Sequence, residues 1–182
     1  MFLSVTERRW RSSFGAIRQK RNPGQTPLKT VSTSSMRPVF FLDGIKRFGL
    51  TFDGSGLIVE LGGGQGWASC IVKRMYPHAK VVLADISHYA LASLPKWERI
   101  LGAKLDGIVA CRSYELPAAD SSVDCVFCFA SAHHFGAHGR TIREIARVLK
   151  PGGRCLYLYE PSCPPWIHRI ARWRVRRKRS WW

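Results

Sequence analysis

The chain has 182 residues, 46% of them hydrophobic, and a formal net charge of +17. That length accommodates one domain with a core of its own, and no stretch approaches the eighteen or so consecutive apolar residues of a membrane-spanning helix. The charge suggests nucleic acid, but it sits at the ends: Lys and Arg outnumber acids by ten to two in residues 1–50 and by seven to none in 161–182, against twelve to ten in 51–160.

Residues 1–37 are Arg- and Ser-rich with Glu7 as the single acid, and residues 22–35 lack a sustained apolar period. This predicts a flexible extension whose composition an organellar transit peptide would share, while the charges after Val5 come too soon for a secretory signal. Residues 39–48 follow Pro38 as a short amphipathic helix, with Gly44 the residue least suited to it.

The most informative stretch is Leu57-Ile58-Val59-Glu60-Leu61-Gly62-Gly63-Gly64-Gln65-Gly66. A branched apolar run without alternation fits a central parallel strand buried on both faces, and glycines then let the backbone turn and approach a ligand closely. A helix from Gly66 would point its free N–H groups at that ligand. A dinucleotide fingerprint needs a small residue where Trp67 stands, and a phosphate loop needs Gly-Lys-Ser/Thr where Gly66-Trp67-Ala68 stands, so both weaken.

A second buried strand, Lys80 to Asp85, also ends in an acid, nineteen residues beyond Gly66. Asp85 or Ser87 could cap a helix over 88–101. Further strands are expected near 107–111, 124–130 and 154–160. Between the last two, Ile142, Ile145, Ala146 and Leu149 share one face of a helix over 139–149 that Pro151-Gly152-Gly153 ends.

Six cysteines include Cys125-x-x-Cys128, but an odd separation on a strand points the two side chains to opposite faces, so no metal site is assigned. They read as small reduced core residues of a cytoplasmic protein. In the tail, Trp166, Ile170 and Trp173 share one helical face, with a basic run to Arg179. A packing helix with a solvated end is the favoured reading; contact of 166–179 with anionic lipid, or with nucleic-acid phosphates, is the functional one.

Glu60-x-Gly62-x-Gly64-x-Gly66, the acid Asp85, Leu116-Pro117 leading into 124–127, and Arg143 to Gly153 occur here in one order. In that order they resemble the class I S-adenosylmethionine-dependent methyltransferases over residues 55–161. The resemblance implies an α/β, Rossmann-like doubly wound sheet, mainly parallel, of strand order 3-2-1-4-5, with a helix such as 38–48 covering the cofactor. The antiparallel strand pair that normally follows the fifth strand is not readable in the remaining residues. The resulting division is 1–37 extension, 38–161 methyltransferase domain and 162–182 basic tail.

The resemblance also implies a cofactor, S-adenosylmethionine, held by Glu60, Gly62, Gly63, Gly64, Gly66, Asp85, Ile86, Ser113 and Phe129. Glu60 either contacts it or bonds the loop's own N–H groups. Where many relatives carry an acid for the adenine amino group, this chain has Arg112, which accepts nothing, leaving backbone near Ser113 and the wall of Ile86. Trp67 or Phe135 either faces the sulfonium or simply packs. His133 and His134 follow the fourth strand, where one is a candidate base. Methyl transfer to a small molecule is the expected function; a nucleic-acid methyltransferase using the basic ends, and a non-catalytic or truncated cofactor-binding relative, are the alternatives.

Overall fold

The computed structural model describes residues 37–47, 56–161 and Arg169; the expectations for the N-terminal extension and the basic tail lie outside them. Five strands form one sheet: β1 (Leu57–Leu61), β2 (Lys80–Asp85), β3 (Gly107–Ala110), β4 (Val123–Phe129) and β5 (Leu149–Leu158). All pairings are parallel in the order 3-2-1-4-5, with Val59 opposite Val82 on one side and Val126 on the other. The chain therefore reverses direction of travel between β1 and β4. The loops leaving those two strands part from each other and open a crevice at the carboxyl edge.

The helices are α1 (Arg37–Arg47), α2 (Trp67–Met75), α3 (His88–Leu91), α4 (Leu94–Leu101) and α5 (His138–Val148), with a 3₁₀ turn over Ala132–His134. One apolar layer joins Ile58, Val81, Leu83, Cys125 and Phe127 to Ala68, Cys70 and Val72 of α2. The other joins Val59, Leu61, Val82, Ala84, Val126 and Cys128 to Ile145 and Val148 of α5. Burial on both faces explains the unalternating strands, each such side chain contributing about 1.5–3 kcal/mol. Cys125 and Cys128 lie in opposite layers, and among the described residues no group of three or more His, Cys, Asp or Glu could hold a metal ion.

Three details differ from expectation. The single helix over 88–101 is two, because Pro95 has no N–H to give and its ring would strike the carbonyl of Leu91. β5 begins at Leu149 rather than 154. Helix α1 exists, but none of its residues lines the cleft described below. It docks on the sheet instead, with Phe41 buried among Trp67, Phe127 and Phe129. Gly44 makes that approach possible, since a Cβ there would stand 3.2 Å from Leu158.

At the opposite edge of the sheet, two strand starts are fastened alike. Asp124, turned out of the ladder by a register shift beside Cys125, accepts the N–H of Leu57 at 2.7 Å and the ammonium of Lys150 at 2.7 and 2.8 Å. Asp106 accepts the N–H of Val81 and the ammonium of Lys73, both at 2.8 Å.

Candidate active site

At the carboxyl edge lies a cleft of about 470 Å³. Leu61 and Gly62 come to it from β1, Asp85 and Ile86 from β2, Cys111 to Tyr114 from β3, and Ser131 and His134 to Ala137 from the segment after β4. Gly62 has φ +74°, and a Cβ on it would lie 3.0 Å from Ser131 and 3.1 Å from the Phe135 ring. Only glycine both adopts that conformation without strain and leaves the floor of the cleft open.

The loop is hooked onto β2. Gly62 and Gly63 donate to the carbonyl of Ala84 at 2.7 and 3.3 Å, and Gly64 donates to Asp85 Oδ2 at 2.8 Å. Ser87 N–H donates to Asp85 Oδ1 at 2.7 Å, while the Ser87 hydroxyl caps α3 through the N–H of Ala90. Each Asp85 oxygen is thus oriented by one backbone donor and keeps further acceptor capacity toward the cleft. Beside it Ile86 is 71% exposed, an apolar side chain offered to whatever enters.

Glu60 stands behind the loop, not in the cleft. It is 2% exposed and accepts the Ser69 N–H at 2.9 Å and the Ser69 hydroxyl at 2.5 Å. Burial pushes its carboxyl up to about 8; the Ser69 bonds draw it down and the nearby Asp85 raises it. Through Ser69, Glu60 ties the end of β1 to α2, bonding the helix rather than the N–H groups of the loop itself. Gly63 leaves room for it, since a Cβ there would fall on the Glu60 carboxyl carbon and a Leu83 methyl. Gly66, at φ +82°, is similarly crowded by Leu83 and Leu94.

The aromatic candidates divide. Trp67 and Phe129 pack against each other and Phe41, and neither lines the cleft; Phe135 does. The histidines divide too, because His134 lines the cleft while His133 points Nδ1 at Glu160 Oε2, 2.7 Å away, with the two imidazoles 4.0 Å apart. Glu160 also accepts the N–H groups of Ser131, Ala132 and His133 at 2.8, 2.8 and 3.1 Å. Burial raises its carboxyl, but the His133 bond and these three N–H groups outweigh that and hold it below the usual range. The chain reaches this arrangement through Ala130 and Tyr159, whose φ values of +49° and +56° cost a non-glycine residue about 1–3 kcal/mol each. Sequence reasoning passed over Glu160, although it is a further acid at a strand end, as Asp85 is.

On the β3 side the Ser113 hydroxyl bonds Thr141 at 2.7 Å, and the Arg140 guanidinium covers the Tyr114 ring at 4.0 Å. Arg112 lines the cleft with its side chain mostly exposed, 3.7 Å from Glu115. Cys111 also lines it, but burial pushes its thiol up to about 12, so it is a poor nucleophile.

A family model described as a methyltransferase domain matches residues 59–157. The ubiquinone/menaquinone biosynthesis C-methyltransferase UbiE of Desulfotalea psychrophila is 33% identical over 112 residues, covering 62% of this chain and 44% of that protein. The malonyl-[acyl-carrier protein] O-methyltransferase of Methylococcus capsulatus is 33% identical over 100 residues, 55% of this chain and 36% of its own. The chain thus spans less than half the length of these curated relatives. Among solved structures, the YcgJ protein of Bacillus subtilis shares 23% identity over 62% of this chain and 48% of its own, with TM-score 0.55. Phosphoethanolamine N-methyltransferase 2 of Haemonchus contortus, in complex with S-adenosyl-L-methionine, shares 22% identity over 72% of this chain and 35% of its own, with TM-score 0.57. These two likenesses concern the fold.

Proposed function

This chain belongs to the methyltransferase-domain family, and on that premise we propose that it binds S-adenosylmethionine and transfers its methyl group to a small-molecule acceptor. The observation that carries the reading is Asp85: a carboxylate at the end of β2, facing the cleft, with both oxygens aimed by the N–H groups of Gly64 and Ser87. A vicinal diol fits that acceptor, each charge-assisted bond contributing roughly 1.5–3 kcal/mol.

The surrounding residues fit the rest of the group. Gly62 lets the backbone meet it closely, Ile86 forms an apolar wall for a flat base, and the backbone at Ser113 supplies the polar contacts that Arg112 cannot. Gly63, Gly64 and Gly66 act by holding the loop, Glu60 by tying β1 to α2, and Phe129 by supporting the loop from behind. When bound, the cofactor supplies an electrophilic methyl on a sulfonium. The chain then has mainly to place an acceptor in line with it, which alone is worth several decades of rate. His134 in the cleft, with His133 beside it, is the candidate base for an oxygen or nitrogen acceptor.

A cleft of about 470 Å³ and a nearly neutral central region favour a small acceptor over a nucleic acid, as do relatives named for quinone biosynthesis and malonyl-carrier methylation. Among the described residues no helix is long and apolar enough to cross a membrane. The free cysteines of the described residues support the cytoplasm as the proposed compartment. Calorimetry with the full chain tests the reading. S-adenosylmethionine should bind one to one and, at a hundredfold excess over its Kd, raise stability by about 2.7 kcal/mol. Asp85→Ala should weaken binding about ten- to a hundredfold. Folded protein that ignores millimolar cofactor would overturn it.

A further inference from the structure

Glu160 spends all of its acceptor capacity on one segment. Its Oε1 takes the N–H groups of Ser131 and Ala132, and its Oε2 takes the N–H and ring Nδ1 of His133. Two non-glycine residues at positive φ, Ala130 after β4 and Tyr159 after β5, turn the segment and the carboxylate toward each other. The two strand ends are joined there by the Ala130 N–H on the Leu158 carbonyl at 2.9 Å. Strain of this kind persists only where the surroundings enforce it, and here it yields a carboxylate–imidazole pair at the rim of the cleft.

The chemistry follows from donors and acceptors. An ionised carboxylate only accepts, so a neutral imidazole facing it must carry its hydrogen on Nδ1, leaving a lone pair on Nε2. The His133 ring is about one-third exposed and lies 4.0 Å from that of His134, which lines the cleft. We propose that Glu160 is a positioning residue: it holds the turn that carries both histidines and fixes the Nδ1–H tautomer of His133, whose ring lies against that of His134, the imidazole that lines the cleft. This rests on the methyl-transfer reading.

Two readouts on the full chain test this without cofactor or acceptor. Long-range proton–nitrogen NMR of ¹⁵N-histidine protein should show His133 with its hydrogen on Nδ1, and diethyl pyrocarbonate should modify its Nε2 readily. Glu160→Gln keeps a carbonyl for Ser131 and Ala132 but offers N–H to Nδ1, which should move the hydrogen to Nε2 and slow modification at least tenfold. A wild-type His133 with its hydrogen on Nε2 overturns the proposal without any variant, and so do equal modification rates in a folded Glu160→Gln protein. Loss of cofactor binding by the wild type would instead count against the methyl-transfer reading alone.

Discussion

Replacing Glu60 by Gln should make the protein more stable in alkaline buffer and flatten its stability against pH. The carboxyl is fully enclosed beneath the glycine loop, and burial moves its midpoint from 4.5 to about 8 against the opposing pull of Ser69. The sign is the reverse of a salt-bridged acid. Between those two values the native state keeps the proton that the unfolded chain has lost, so stability falls as pH rises and levels off above about 8. At about 1.4 kcal/mol per pH unit, the contribution lost between pH 5 and pH 8 is about 4 kcal/mol. Gln keeps a carbonyl oxygen for the N–H and hydroxyl of Ser69 and cannot ionise. Urea unfolding of both proteins from pH 5 to 9, read as the difference between them, isolates this group from every other that titrates. A difference constant across that range would refute the reasoning, and with it the claim that Glu60 is held neutral.

Gly62→Ala should lose cofactor binding, because its Cβ would stand 3.0 Å from Ser131 and 3.1 Å from Phe135, inside ordinary van der Waals contact, and sit at an unfavourable φ; calorimetry beside circular dichroism separates lost binding from lost folding. Arg147→Gln should destabilise by about 2–3 kcal/mol in urea, since that guanidinium bonds Glu144, Asp120 and the carbonyls of Leu116 and Ala118 and so fixes the segment leading into β4. Once an acceptor is found, His134→Ala should cut kcat about 10²-fold or more while cofactor affinity stays near wild type, and unchanged turnover would leave orientation as the catalytic device.

The sheet was legible from residues 57–61, 80–85 and 123–129 because strands buried on both faces show as unbroken apolar runs. Asp85 was legible because its signal is local, an acid where a strand stops beside a glycine loop. Glu160 was not, since its partners lie 27 to 29 residues earlier and meet it only through the pairing of β4 with β5. The same limit hid which aromatic faces the cleft: Trp67 sits next to the glycines in sequence, yet the arrival of Phe41 and Phe129 decides that it packs inward. Gly44 misled for the opposite reason, because helix propensity cannot register the side chain of Leu158 that the glycine accommodates.

The two lysine–aspartate fastenings at the far edge of the sheet give the molecule a foundation and a working end. The N–H groups of Leu57 and Val81, at the starts of β1 and β2, are bonded to Asp124 and Asp106, each neutralised by its lysine, so strand alignment is set at the edge opposite the cleft. Substitutions around the cleft can therefore reshape what it accepts without disturbing how the strands align. Amide hydrogen exchange should follow this division, slowest at the fastened ends of β1 and β2 and fastest in the loops that frame the cleft. Chemical acetylation of Lys73 or Lys150, by removing one charge from a fastening, would loosen the sheet from the end opposite the chemistry.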